Sequence, residues 1–160
     1  RLRTVTGVQT CAFPIFRKKM FEDAVILVAR AGHPALALKD AGPRDLLRWP
    51  FALPNVLPGL VQWAGEMDRE EAENLKAFIS DDYSLIVDRA LQTDAIAMGA
   101  SFLFQDQLAD GRLEVISSTL DMPYDCWMLT TAERWRSPLI KAMAELSKAA
   151  VTEKALNAAA

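Results

Sequence analysis

The strongest constraint on the fold is a series of short apolar runs, each closed by glycine, proline or an acidic turn. The clearest run spans 24–29 (AVILVA) and ends at Gly32 and Pro34. A short run of this kind, rich in β-branched residues, predicts a buried strand. Similar patterns predict further strands at 51–53, 94–98, 112–116 and 124–129.

Helical patterns separate these strands. Pro43 opens a short helical turn, and a longer helix is predicted from Pro58. The N-cap residues Ser80-Asp81-Asp82 precede another helix. A last helix from Ser137-Pro138 is predicted to bury Leu139, Ile140, Met143 and Leu146, before a tail that frays from Thr152. Strands alternating with helices indicate an α/β fold with a mostly parallel sheet.

Composition excludes several functional classes. The 18 Lys and Arg against 21 Asp and Glu give a net charge of −3, which disfavours nucleic-acid binding by these residues. The apolar runs are far shorter than a bilayer span, so no membrane partner is expected. One histidine, His33, and two cysteines outside any CxxC motif imply no metal site, and we expect no cofactor. Cys11 and Cys126 are interpreted as thiols of a reducing cytoplasm.

The first residues have an unusual pattern. Residues 5–15 (VTGVQTCAFPI) resemble the translation of a sequencing-library adapter, with Phe13 where the usual translation has Leu. We therefore expect residues 1–16 to be a non-native segment joined to a gene fragment. A genuine irregular N-terminal arm is the alternative.

An ordered set of short blocks resembles one family, the LysR-type transcriptional regulators, over residues 18–150. The match is to their C-terminal effector-binding (substrate-binding) domain. Each block is weak by itself, and the resemblance lies in their order and spacing. The blocks are 20–23, 27–34, 45–47, Trp49-Pro50-Phe51-Ala52-Leu53-Pro54, 80–87, 93–97, Leu108-Ala109-Asp110-Gly111-Arg112-Leu113 and Arg136-Ser137-Pro138-Leu139-Ile140.

The resemblance implies a two-lobed fold like that of type 2 periplasmic binding proteins. Residues 33–118 would form a nearly complete second lobe, and 17–32 with 119–150 a partial first lobe that includes the crossing strands 24–30 and 124–129. The family's helix-turn-helix and early first-lobe units are not in this sequence, so an N-terminally truncated fragment is expected. Its last helix would then lack most of its packing partners.

The resemblance also implies the function. The chain would be the sensor domain of a cytoplasmic regulator and not an enzyme. Its partners would be a small effector, a carboxylate or related metabolite, and other copies in a homodimer or tetramer. DNA would be bound only by the missing N-terminal domain.

Candidate effector contacts lie where strands end, because ligands of open α/β folds bind beyond the carboxyl ends of strands. Each has a structural alternative. Ser80 and Asp81 are typical helix caps, Arg30 could pair with Asp23, and His33 could be a hinge hydrogen-bonder. Tyr124 and Trp127 are interpreted as packing residues. The predicted contacts are Arg30, His33, Pro54, Asn55, Ser80, Asp81, Gly99, Ala100 and Ser101, the last three forming a predicted turn.

Three rival functions remain open. A periplasmic solute-binding protein for transport would share the fold. An enzyme would need Cys126 as nucleophile with His33, the single histidine, as base. A fragment lacking part of its cleft could also be inactive, and we expect the isolated chain to bind small carboxylates weakly or not at all.

Overall fold

The computed structural model describes residues 15–55, 65, 70 and 78–158, with side chains up to Val151. The helix predicted from Pro58 lies outside the described residues, as do residues 1–14. The described strands are β1 (Ile15–Arg30), β2 (Phe51–Leu53), β3 (Phe78–Ile79), β4 (Ile96–Ala100), β5 (Leu113–Val115) and β6 (Pro123–Thr131). The described α-helices are α1 (Pro43–Leu46), α2 (Tyr83–Gln92), α3 (Gln105–Ala109) and α4 (Pro138–Ala158). Short 3-10 helices span Pro34–Ala37, Ser101–Leu103 and Arg134–Arg136.

The strand β1 connects two parts of the structure. Its first part, Ile15 to Ala24, pairs antiparallel with β6 and forms a two-stranded ribbon. Its second part enters the main sheet, where it pairs antiparallel with β4 and β5. The sheet order is β3-β2-β4-β1-β5. The ribbon and the main sheet are therefore joined by one continuous strand.

The expectation of a mostly parallel sheet is wrong for the described strands. Only the pairings of β2 with β3 and with β4 are parallel, whereas all three pairings of β1 are antiparallel. β1 runs opposite in direction to each of the three strands that pair with it, and the direction of a neighbouring strand is not encoded in a local sequence pattern. β1 also begins at Ile15 rather than at Ala24, because pairing with β6 keeps the charged segment Lys18–Glu22 extended.

The core lies on both faces of the main sheet. Leu27 belongs to a cluster on one face with Leu46 and Phe51. Its neighbour Val28 belongs to the opposite cluster with Ile86 and Phe104. A strand covered on both faces has an unbroken apolar sequence instead of an alternating one. This explains the AVILVA run from which the first strand was predicted.

The helix α2 begins as predicted, with a defined cap. Asp82 is the N-cap, and its Oδ1 accepts a hydrogen bond from the Ser84 backbone N–H at 2.9 Å. Ser80 Oγ accepts from the Asp82 N–H at 3.1 Å. Of the three candidate cap residues, the last one starts the helix.

The last helix, α4, differs from its prediction in burial and in length. Leu139 and Leu146 are 68% and 70% exposed and Met143 is 51% exposed, whereas Ala144 is fully buried. The face that contacts the rest of the described structure is therefore the one carrying Ala144. The helix also continues to Ala158 instead of fraying at Thr152. The prediction that Leu139, Met143 and Leu146 are buried is therefore wrong for the described structure.

Candidate functional site

A cavity of about 550 Å³ lies where the ribbon meets the main sheet. The ribbon side contributes Pro123, Tyr124 and Asp125, and the sheet side contributes Pro54, Asp81 and Gly99. A volume of this size accommodates a small molecule. The other lining residues are Val25, Tyr83, Ala100, Phe102, Leu103 and Met122.

Three aromatic side chains form one part of this lining, and we call Tyr83, Phe102 and Tyr124 the aromatic wall. The rings of Phe102 and Tyr124 lie 6.5 Å apart between centroids. Phe102 also makes an edge-to-face contact with Phe21, at 5.4 Å between centroids. Burial, followed by the proximity of Tyr124, raises the pKa of Tyr83, so its phenol stays protonated at neutral pH.

A carboxylate on β1 holds Phe102 in place. Asp23 Oδ2 accepts a hydrogen bond from the Phe102 backbone N–H at 3.0 Å, and its Oδ1 accepts from Ser101 Oγ. These bonds tie the 3-10 helix after β4 to the strand that crosses between ribbon and sheet. Ser101 therefore acts through Asp23 instead of lining the cavity.

Gly99 and Ala100 belong to the cavity, but in a different structure from the predicted turn. Both are buried residues of β4, which continues to Ala100. The tertiary reason is pairing with β1, where Val25 lies opposite Ala100 and Ile26 opposite Gly99. Gly99 leaves room for the aromatic wall, because a Cβ there would lie 2.7 Å from Tyr83 Cε1.

The loops after β2 and β3 also meet at the cavity. Pro54 and Asp81 line it, and the Asn55 backbone N–H donates to Asp81 Oδ1 at 3.3 Å. Ser80 precedes Asp81, and its Oγ accepts a hydrogen bond from the N–H of Asp82, the N-cap of α2. Of the predicted contacts, Pro54, Asp81, Gly99 and Ala100 line this cavity. Asn55, Ser80 and Ser101 are their neighbours in the sequence, and the role of all seven as effector contacts stays a prediction.

Arg30 and His33 lie away from the cavity lining. Arg30 donates from Nη2 and Nε to Asp94 Oδ1, at 2.6 and 3.1 Å, so its partner is Asp94 and not Asp23. His33 is 2% exposed, and its Nδ1 accepts from the Ala35 N–H at 3.1 Å. Its Nε2 lies 3.3 Å from the Asp94 carbonyl oxygen and, with Nδ1 accepting, carries the donated proton. His33 is thus a buried hydrogen-bonding residue of the fold, and its role as a hinge stays a prediction.

The lining residues that sequence analysis missed are mainly the aromatic wall and Asp125. Tyr83 follows the cap sequence directly, and Phe102 follows the Gly99-Ala100-Ser101 segment. The signal that could have predicted both rings is an aromatic residue directly after a segment proposed to contact the ligand. Tyr124 was interpreted as a packing residue, and it both contacts Phe102 and lines the cavity.

The lining residue Asp125 forms an ion pair with Lys19, which also contacts Glu22. Lys19 Nζ lies 2.8 Å from an Asp125 carboxylate oxygen and 2.6 Å from one of Glu22. Hydrogen bonds to Asp125 and Glu22, in that order, raise the pKa of Lys19. The described lining itself contains Asp81 and Asp125 and no Lys or Arg.

The described residues contain no group of three or more His, Cys, Asp or Glu side chains arranged to hold a metal. Within the same residues, no helix is long and apolar enough to cross a membrane. The Cys126 and His33 pair needed for an enzyme is not brought together. Cys126 on β6 lies opposite Phe21 on β1. At roughly 3.3 Å per residue, Phe21 is about 30 Å along β1 from Arg30, the end of the strand that precedes His33.

Comparison with known proteins identifies this arrangement. The LysR substrate binding domain family matches residues 14–152. The chain belongs to this family. A LysR substrate-binding domain is the effector-binding domain of a LysR-type regulator, and it has the two-lobed fold of periplasmic binding proteins. The fold class and the role as effector-binding domain of a LysR-type regulator, both expected from the sequence, are confirmed, and the transport alternative is not favoured. A search of curated protein sequences found no match.

Solved structures support the same fold. The CrgA regulatory domain, from a LysR-type regulator of Neisseria meningitidis, is similar with a TM-score of 0.65 at 13% identity, covering 91% of this chain and 72% of that chain. A Vibrio parahaemolyticus protein proposed to be a transcriptional regulator has a TM-score of 0.68 at 13% identity, over 89% and 67% of the two chains. A Corynebacterium glutamicum OxyR mutant has a TM-score of 0.65 at 11% identity, over 95% and 49%. The LysR domain described here thus spans from about half to less than three quarters of these chains.

Proposed function

We propose that this LysR domain binds a small effector in the cavity between the ribbon and the main sheet. The observation that carries the proposal is that the cavity draws its lining from both parts, with Tyr124 on the ribbon and Gly99 in the sheet. A ligand with different affinity for two ribbon orientations would shift the balance between them. The domain would then act as the sensor of a cytoplasmic transcriptional regulator and not as an enzyme.

The partners of the whole regulator follow from this proposal. Other copies of the chain would form a homodimer or tetramer whose packing responds to the effector. DNA would be bound by a helix-turn-helix domain outside these residues. Residues 33–118 would form the second lobe, and 17–32 with 119–150 would supply the crossing strands and part of the first lobe.

A carboxylate effector stays a prediction. On the described lining such a ligand would meet the carboxylates of Asp81 and Asp125, the second of them paired with Lys19. The expected weak binding of small carboxylates by this isolated chain has a physical basis here, because like charges repel. Saturable micromolar binding of a small carboxylate in calorimetry would contradict it.

The experiment that tests the proposed site is a ligand titration monitored by amide NMR. Small aromatic compounds of each charge type are added, and the shifted resonances are expected to cluster at Gly99, Phe102 and Tyr124. Ala100→Leu fills part of the cavity and is expected to weaken these shifts. Ala109→Leu, on an exposed part of α3, is the matched control. Shifts that never involve the cavity, for any compound, would overturn the proposal.

A further inference from the structure

The charge of the cavity lining determines which ligands the described side accepts. Its ionisable side chains are Asp81, Asp125 and the two tyrosines of the aromatic wall, all of them acids. The raised pKa of Tyr83 leaves that phenol neutral. A negative lining attracts a cation and repels an anion.

The two carboxylates are not equivalent. Lys19 neutralises Asp125 across a 2.8 Å ion pair, and the same ammonium also contacts Glu22. The described partner of Asp81 is the Asn55 backbone N–H, a neutral donor. Asp81 therefore supplies the lining with a negative charge that no described cation compensates.

Among the described residues, the two cations weighed for an anionic ligand, Arg30 and Lys19, are both held by carboxylates. Arg30, the best anion contact by its chemistry, is held by Asp94 and does not line the cavity. Lys19 is shared between two carboxylates. On the described lining, an anion would have to break one of these pairs or approach Asp81 without compensation.

The remaining lining suits the body of an organic cation. Aromatic rings attract ammonium groups through their negative faces, and the aromatic wall lies among apolar residues including Val25 and Met122. We infer that this side of the cavity selects a small organic ammonium ion with an apolar or aromatic body over a carboxylate of the same shape. The inference rests on the proposed function, since it names the ligand class of that site.

Three probes of matched shape test the inference: benzylammonium, benzyl alcohol and benzoate. Each is titrated into the full chain near pH 7, at low salt, and followed by amide NMR. A unit charge about 4 Å from a solvated carboxylate changes affinity by roughly fivefold. Benzylammonium is expected to bind about fivefold tighter than benzyl alcohol, and benzoate about fivefold weaker than the alcohol.

Two variants and a change of salt concentration test whether Asp81 causes this order of affinities. Asp81→Asn keeps a hydrogen-bond acceptor for Asn55 and is expected to lower the benzylammonium to benzyl alcohol affinity ratio, leaving only the attraction of the aromatic wall for the ammonium group. Asp88→Asn, an exposed carboxylate of α2 outside the lining, is the control and is expected to keep the ratio. Raising the salt from about 20 mM to about 500 mM shrinks the ratio in the unaltered chain, since screening weakens an exposed charge.

The outcomes separate this inference from the proposed function. Binding of all three probes in the cavity with benzoate equal to or tighter than benzylammonium would overturn the ligand class and leave the site standing. A ratio unchanged by Asp81→Asn and by salt would also overturn it. If none of the probes shifts a cavity resonance, both the site and the ligand class fail.

Discussion

The ring of Tyr83 lies so close to Gly99 that any side chain at position 99 would clash with it. A Cβ at position 99 would lie 2.7 Å from Tyr83 Cε1 and 3.2 Å from two ring carbons of Phe104. Gly99 is therefore required by the contact with a ring that lines the cavity. Its neighbours in β4 are likewise buried, which leaves little room for adjustment.

Gly99→Ala is expected to destabilise the chain by about 1–3 kcal/mol, because overpacking displaces Tyr83 or Phe104. Denaturant unfolding measures the loss, and the Tyr83 resonances report the movement of the ring. Gly42→Ala is the control, because a Cβ there would lie at an ordinary 3.5 Å from Asp45 Oδ2. Equal stability of the two variants would contradict the packing argument.

Asp23→Ala is expected to reduce the free energy of unfolding by about 1–3 kcal/mol, because it removes the acceptor of the Phe102 N–H and of Ser101 Oγ. The same change is expected to shift the Phe102 ring and so alter the aromatic wall. Denaturant unfolding and the aromatic NMR spectrum measure both effects. Asp88→Ala, at an exposed position of α2, is expected to change neither.

Arg30→Gln is expected to cost less than about 1 kcal/mol, since Arg30 and Asp94 are 38% and 57% exposed and solvent weakens such pairs. Affinity for any ligand in the cavity is expected to stay unchanged, because Arg30 does not line it. Parallel unfolding and NMR titrations measure these two quantities. A loss of ligand affinity would restore the sequence-based prediction of Arg30 as an effector contact.

His33 is expected to make the chain less stable as the pH falls. Burial lowers the pKa of His33 from its ordinary value of 6.5, with Asp94 opposing the shift and Arg30 adding to it. Protonation of Nδ1 would also remove the acceptor of the Ala35 N–H. The stabilisation is therefore present above about pH 6.5 and is lost as the pH falls through the lower pKa of the folded state.

Unfolding measured across this pH range tests the histidine prediction, with His33→Gln as the comparison. Glutamine has both a donor and an acceptor but does not titrate. The variant is expected to lose the part of the pH dependence that begins just below pH 6.5, the ordinary pKa of histidine. An identical pH profile for the variant would assign that dependence to other groups.

The exposed side of α4 is expected to tolerate polar substitutions. Leu139→Gln and Leu146→Gln are each expected to change stability by less than about 0.5 kcal/mol, because both side chains are largely exposed. Ala144→Leu, on the buried side of the same helix, is expected to cost about 1–3 kcal/mol through overpacking. Thermal or denaturant unfolding compares the three. A large loss from either leucine would show that its side chain is buried in solution.

The sequence by itself determined the elements whose signals are local. The buried strand at 24–29, the strand at 51–53, the cap region at 80–82 and the start of the last helix at Pro138 were all predictable. Each depends on hydrophobic period or on capping chemistry, which neighbouring residues encode. The ordered blocks added the family, since their spacing reflects the order of elements along the chain.

Only the tertiary structure decided the direction of pairing, the extent of β1 and the composition of the cavity. β6 keeps the charged start of β1 extended, and β1 keeps Gly99 and Ala100 in a strand instead of a turn. Arg30 pairs with Asp94, which is far from it in the chain. Tyr83 and Tyr124 are also far apart in the sequence, and both line one cavity. These contacts join residues that are distant in the sequence, so no local pattern carries them.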